Sequence, residues 1–183
     1  RQSTGFHIGY ALTHLSYFAD LAETYAWQRP APIATFPTLA QSVVHREPIG
    51  VVGAIAPWNF PLLLTLWKVG PALAAGNSVV VKPDEHTPLS ILEFARIAER
   101  NGLPPGVLNV VPGDGREAGA RLASHPDVGK IAFTGSTAVG REIMRLAAGT
   151  VKQVTLELGG KGPSIVLDDA DLDMTADGIL YGC

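Results

Sequence analysis

The sequence predicts an α/β fold: a Rossmann-like open parallel sheet of about five strands with helices on both faces, plus an extended arm and the start of a second domain. Three observations lead there. Short apolar segments at residues 50–56, 78–82, 107–111, 129–133 and 151–157 have the length of strands buried on both faces. Helix-length segments separate them in regular alternation, the pattern of β-α-β units. Glycine, asparagine and proline mark the boundaries, as Gly76-Asn77 and Asn101-Gly102 do where helical periodicity stops.

Taken in order, residues 6–27 form a helix candidate in which Phe6, Tyr10, Leu15, Phe18, Ala22 and Tyr25 recur at roughly helical spacing. Residues 28–37 carry three prolines and break that pattern, and 38–46 alternate weakly, as an extended arm would. The first strand is followed by a helix over 62–75. The second is followed by a helix that Thr87-Pro88 opens, with a capping hydroxyl and a first-turn proline. Helices over about 116–124 and 137–148 follow the third and fourth strands. Residues 164–167 read as a further strand, and 168–173 as an acidic lead-in to a last helix. The resulting division is a helical segment at 1–27, an oligomerisation-type arm at 28–47, a nucleotide-binding core at 48–158 and the start of a second domain at 159–183.

Composition narrows the function. With 183 residues, 46% of them hydrophobic, the chain can build one substantial core, or one domain and pieces of another. Fourteen basic and 17 acidic residues give a net charge of -3 without a block of one sign, which argues against a nucleic-acid groove or an anionic membrane surface. A single cysteine, Cys183, excludes an internal disulfide and fits a reducing, cytoplasmic setting. The longest apolar run, 51–67, is interrupted by Pro57, Asn59 and Pro61 and reads as a buried strand and helix rather than a membrane span. No basic segment leads into an apolar one at the start, and both ends read as cuts in a longer protein.

Four motifs sit where strands end, the place at which open α/β sheets bind ligands. Phe133-Thr134-Gly135-Ser136-Thr137-Ala138-Val139-Gly140 joins a strand to a helix. It is either an anion-binding turn or a plain glycine turn with a capping hydroxyl, and it lacks the usual three-glycine dinucleotide spacing. In Pro57-Trp58-Asn59-Phe60-Pro61 the Asn59 amide can donate to a developing oxyanion or satisfy its own turn. Lys82-Pro83-Asp84-Glu85 offers groups for ribose hydroxyls or is a solvated loop. Glu157-Leu158-Gly159-Gly160-Lys161 puts a carboxylate on an apolar strand. Burial there would raise its pKa toward that of a working base, and the alternative is an edge carboxylate paired with Lys161.

These motifs, in this order, together with Glu47-Pro48-Ile49-Gly50-Val51-Val52, Trp67-Lys68 and Leu103-Pro104-Pro105-Gly106-Val107, resemble the aldehyde dehydrogenase superfamily over essentially the whole chain. The resemblance implies an NAD enzyme, with NADP possible, that oxidises an aldehyde to a carboxylic acid through a cysteine thiohemiacetal and a thioester. It implies that Asn59 holds the oxyanion, that Glu157 activates water and that Lys68 lines the inner site. Cofactor contacts are implied for Ala56, Pro57, Trp58, Lys82, Glu85, Gly115, Gly119, Phe133, Gly135, Ser136, Val139, Gly140, Leu158 and Gly159. A substrate tunnel is implied for Phe60, Leu64 and Trp67.

The family's nucleophilic cysteine follows a Gly-Gln pair. Cys183 follows Tyr181-Gly182 and reads instead as a small buried hydrophobe, so the chain by itself should not catalyse. The implied partners are a small aldehyde and, through the arm, further copies of the chain in a dimer or tetramer; no metal, membrane or nucleic acid is implied. Two other readings remain: a CoA-acylating semialdehyde dehydrogenase, a group that usually lacks the water-activating glutamate, and a non-catalytic nucleotide-binding module.

Overall fold

The computed structural model describes residues 4–182, so the reading of Cys183 lies outside the described residues. A π-helical turn, Thr4–Ile8, runs into helix α1, Gly9–Thr24. Strands β1 (Gln28–Pro30) and β2 (Val43–His45) pair antiparallel, so the expected arm folds back on itself as a two-stranded ribbon. Alternating units follow: β3 (Val51–Ile55), α2 (Pro61–Ala74), β4 (Ser78–Lys82), α3 (Leu89–Arg100) and β5 (Leu108–Val110). A π-helical turn, Gly115–Gly119, leads into α4 (Ala120–Ser124), then β6 (Val128–Gly135), α5 (Thr137–Ala148), β7 (Gln153–Leu158) and α6 (Leu172–Gly182).

Five strands form one parallel sheet in the order β5-β4-β3-β6-β7. The chain winds outward from β3 to β5 and then returns to the other side of β3. The topological switch point therefore lies between β3 and β6.

Side chains on the central strands alternate between two cores. Val52, Ala54, Val79 and Val81 pack with Ala11 of α1, with Leu63, Leu66, Val69 and Ala72 of α2, and with Ile91 of α3. On the opposite face Ile55, Ile131 and Phe133 pack with Ala123 of α4 and Ile143 of α5. Each fully buried Leu or Val contributes roughly 1.5–3 kcal/mol, so helices clamp the sheet from both sides as expected. Helix α2 stops at Gly76, whose φ of +77° lies in the left-handed region that favours glycine.

Three local expectations change. No strand forms over 164–167; Ile165 and Leu167 are exposed, and the segment has no ladder partner among the described residues. Helix α3 starts at Leu89 without a side-chain cap, and the Thr87 hydroxyl oxygen is buried with no hydrogen-bond partner. The fifth strand begins at Gln153 rather than 151, because Val151 turns the chain with φ +54°, the one positive φ outside glycine among the described residues.

Candidate functional site

Register and the two-residue period of strands build the site. Val52 pairs with Lys130 and Ala54 with Ala132, so Lys130, Ala132 and Thr134 of β6 share the face that α2 covers over β3. Lys130 pairs with Gln153, Ala132 with Thr155 and Thr134 with Glu157, which carries that face onto β7. The apolar residues Val154 and Leu156 turn to the other core. Helix α2 covers β3 and β4 but leaves the β6–β7 part of this face open. The result is a cleft of about 1120 Å³ beside α2, reaching to the switch point.

Most of the residues singled out from sequence meet there. Pro57, Trp58, Asn59, Leu64, Trp67, Lys68, Phe133, Gly135, Ser136, Glu157, Leu158 and Gly159 all line the cleft. Asn59 is exposed on the turn after β3. Lys68 lies in the middle of α2 and is 9% exposed. Its ammonium donates to the Leu64 carbonyl at 3.0 Å and to the Thr134 hydroxyl at 2.6 Å. Desolvation lowers its pKa from 10.5 to about 8, and the Glu157 carboxylate opposes that fall. Glu157 itself is exposed, so of its two readings the structure matches the edge carboxylate and not the buried one. The cause is its strand: β7 is at the edge of the sheet, and the segment after it does not fold back over it.

Except for Ser136, which lines the cleft and caps α5, the residues that follow lie outside it. Lys82, 4% exposed at the end of β4, donates to Glu85 at 3.0 Å. Backbone hydrogen bonding at Glu85, followed by that bond from Lys82, lowers the Glu85 pKa. A β-carbon placed on Gly115 would lie 3.9 Å from the Lys82 ammonium, which puts the loop after β5 beside this pair. Gly119 is buried at the end of its π-helical turn. Ala56 is buried and donates to the Lys82 carbonyl at 3.1 Å. Ser136 is the N-cap of α5 and accepts from the Val139 amide at 3.3 Å, with Val139 half exposed. Gly140 lets α5 approach β7, since a β-carbon there would sit 2.7 Å from Leu158. Phe60 stacks on His7, with ring centroids 4.5 Å apart.

Two residues escaped the sequence reading. Thr134 lies inside the glycine-serine motif, but its bond to Lys68 depends on strand register. His14 lines the cleft from α1, and only the docking of α1 on α2 brings it there.

The groups present suit a dinucleotide. The Glu85 side chain is 44% exposed and can accept from ribose hydroxyls, while Lys82 keeps further N–H groups to donate. The first turn of α5 presents free amides to an anion.

The profile of the aldehyde dehydrogenase family matches residues 1–183. An aminoaldehyde dehydrogenase 2, peroxisomal, of Pisum sativum is 54% identical over 91% of this chain and 33% of its own length. Betaine aldehyde dehydrogenase 1 of Oryza sativa subsp. japonica is 55% identical over the same shares of the two chains. Among solved structures, that of PnpE in complex with nicotinamide adenine dinucleotide has a TM-score of 0.92 and 46% identity, covering 99% of this chain and 36% of that one. The chain thus spans about a third of the length of the curated relatives it matches.

Proposed function

This chain belongs to the aldehyde dehydrogenase family, and from that premise we propose that its protein oxidises an aldehyde to a carboxylic acid, with NAD as the hydride acceptor. The observation that carries the proposal is the convergence of Asn59, Lys68 and Glu157 on one cleft at the switch point of the sheet. The names of the pea and rice relatives specify aminoaldehyde and betaine aldehyde; only the aldehyde is carried over here.

The attacking group is a cysteine thiolate of the whole enzyme, which adds to the carbonyl carbon and leaves an oxyanion. Asn59, exposed on the rim of the cleft, donates its amide to that oxygen. Bound NAD supplies the acceptor for the hydride that leaves the same carbon. Glu157, solvent-accessible on β7, takes a proton from the water that attacks the resulting thioester, and the thiolate is released. Lys68 and Thr134 brace the floor of the cleft. Glu85 accepts from the adenosine ribose, and its charge disfavours a 2′-phosphate, which supports NAD over NADP.

The test separates the two half-reactions. Asn59→Ala should depress the NADH burst about a hundred- to a thousandfold. Glu157→Gln should keep a burst and slow steady turnover on the order of a hundred- to ten-thousandfold, with acyl-enzyme accumulating. Rapid-quench mass spectrometry reads both. Acyl-enzyme accumulating in Asn59→Ala but not in Glu157→Gln would overturn the assignment.

The proposal extends to assembly and place. On the arm Ile33, Phe36 and Leu39 are exposed, Phe36 by 88%, which supports a homodimer or homotetramer built through the arm. Light scattering that finds a monomer would end that reading. No described helix is long and apolar enough to cross a membrane. A cytoplasmic location rests on cysteine usage, and a fluorescent fusion found in an organelle would refute it.

A further inference from the structure

Helices α1 and α2 run parallel, and histidine–aromatic contacts repeat along them. His7, in the turn before α1, lies flat against Phe60 at 4.5 Å with an interplanar angle of 15°. Seven residues on, His14 packs against Trp67, itself seven residues beyond Phe60, at 5.6 Å and 43°. His14, Leu64 and Trp67 line the same cleft as Asn59 and Glu157.

Aromatic faces are the natural hosts for an organic cation. Here each of the two rings already carries an imidazole. No carboxylate is placed to take over that task from the helices: α2 has no acidic residue, and the acids of α1, Asp20 and Glu23, lie about two turns beyond His14 and farther still from His7. The other titratable groups facing His14 across the cleft are Lys68 of α2, Lys130 of β6 and Glu157 of β7. Phe6 contacts both His7, with ring centroids 6.1 Å apart, and Tyr10, at 4.8 Å. Two lysines against one glutamate, with imidazoles already seated on the aromatic faces, make this wall inhospitable to positive charge.

We propose that His14, with His7 behind Phe60, sets the substrate class of the site: aldehydes without positive charge, uncharged or anionic, over those bearing an ammonium group. The inference rests on the reading of this cleft as an aldehyde-oxidising site.

The test uses a pair of aldehydes of the same shape, 3,3-dimethylbutanal and betaine aldehyde, in which a carbon replaces the quaternary nitrogen. The quantity measured is the ratio of their kcat/KM values, neutral over cationic, in the whole enzyme. The ratio should exceed one in the unaltered enzyme, and His14→Asp should lower it about fivefold to tenfold, as expected for an opposite charge some ångströms away near a protein surface. Should that variant fail to fold, the ratio in the unaltered enzyme still decides. A ratio below one, or one unmoved by folded His14→Asp, overturns the inference while leaving aldehyde oxidation intact. Failure to oxidise either aldehyde, together with succinic semialdehyde and benzaldehyde, would instead overturn the reading of the site.

Discussion

Two lysines are withdrawn from solvent near the carboxyl ends of the strands, and they are held in opposite ways. Lys82 is 4% exposed and ends on a carboxylate, Glu85, at 3.0 Å. Lys68 is 9% exposed and ends on neutral oxygens, the Leu64 carbonyl and the Thr134 hydroxyl. An ammonium given only dipoles keeps much of its desolvation cost, and the pKa of Lys68 falls to about 8. At Lys82 the ammonium meets a carboxylate instead, and the Glu85 pKa is lowered, first by backbone hydrogen bonding at Glu85 and then by the bond from Lys82. One lysine is thereby paired directly with a carboxylate beside the expected ribose. The other is poised to lose its proton close to physiological pH, in the cleft where proton transfers are proposed.

The largest expected consequence is thermodynamic. The folded pKa of Lys68 is depressed below its unfolded value of 10.5, so between about pH 8 and 10.5 the unfolded chain binds more protons. The penalty for the buried charge is thus fully present below pH 8 and is relieved as pH rises. The stability of the whole protein, measured by urea denaturation and referred to Lys68→Met, should rise by roughly 2–3 kcal/mol from pH 7 to 10. A difference that does not change with pH would show that Lys68 is not desolvated.

At the other lysine the expected effect is on binding. Lys82→Met removes a charged donor from the proposed ribose side of the cofactor. It should weaken NAD about tenfold, from a hydrogen bond to a charged group worth roughly 1.5 kcal/mol. Isothermal titration measures it, and an unchanged Kd would make the Lys82–Glu85 pair purely structural. A smaller change is expected from Glu85→Gln, which should improve NADP relative to NAD by a few-fold, roughly 1 kcal/mol of relieved repulsion. Equal or tighter binding of NADP before the change would remove the premise. The smallest effect tests the coupling across the cleft. Glu157 raises the pKa of Lys68, so Glu157→Gln should move that pKa further down, by less than about one pH unit. NMR of carbon-13 methylated lysines would follow it, and an upward shift would break the comparison.

The two sites were not equally legible. Lys82 and Glu85 are close in sequence, and their bond needs only a strand end and one turn, so a linear motif exposes it. The five strands were legible for a similar reason: burial on both faces leaves a continuous apolar signature at 51–55 and 78–82. Thr134 and His14 stayed hidden because their neighbours arise from strand register and helix docking, which have no local signature. Glu157 could be read from sequence either as a buried base or as an edge carboxylate, and the sequence could not choose between them. An apolar strand looks the same whether it lies at the centre of a sheet or at its edge, and only topology places β7 last. The strand expected over 164–167 failed on the same point, since residue type cannot supply a partner to pair with.

The link from α5 to β7 holds a reserve of another kind. Val151 sits at φ +54° with its side chain 90% exposed. Left-handed backbone costs an L-residue roughly 1–2 kcal/mol, and branching at the β-carbon makes it harder still. Because this side chain packs against almost nothing, that tension is not exchanged for contacts. The turn therefore works as a slightly wound spring at the root of the strand that bears Glu157. Val151→Gly or Val151→Asn would let it relax, raising the melting temperature of the protein by a few degrees without altering any group in the cleft. An engineer seeking a sturdier enzyme would start there.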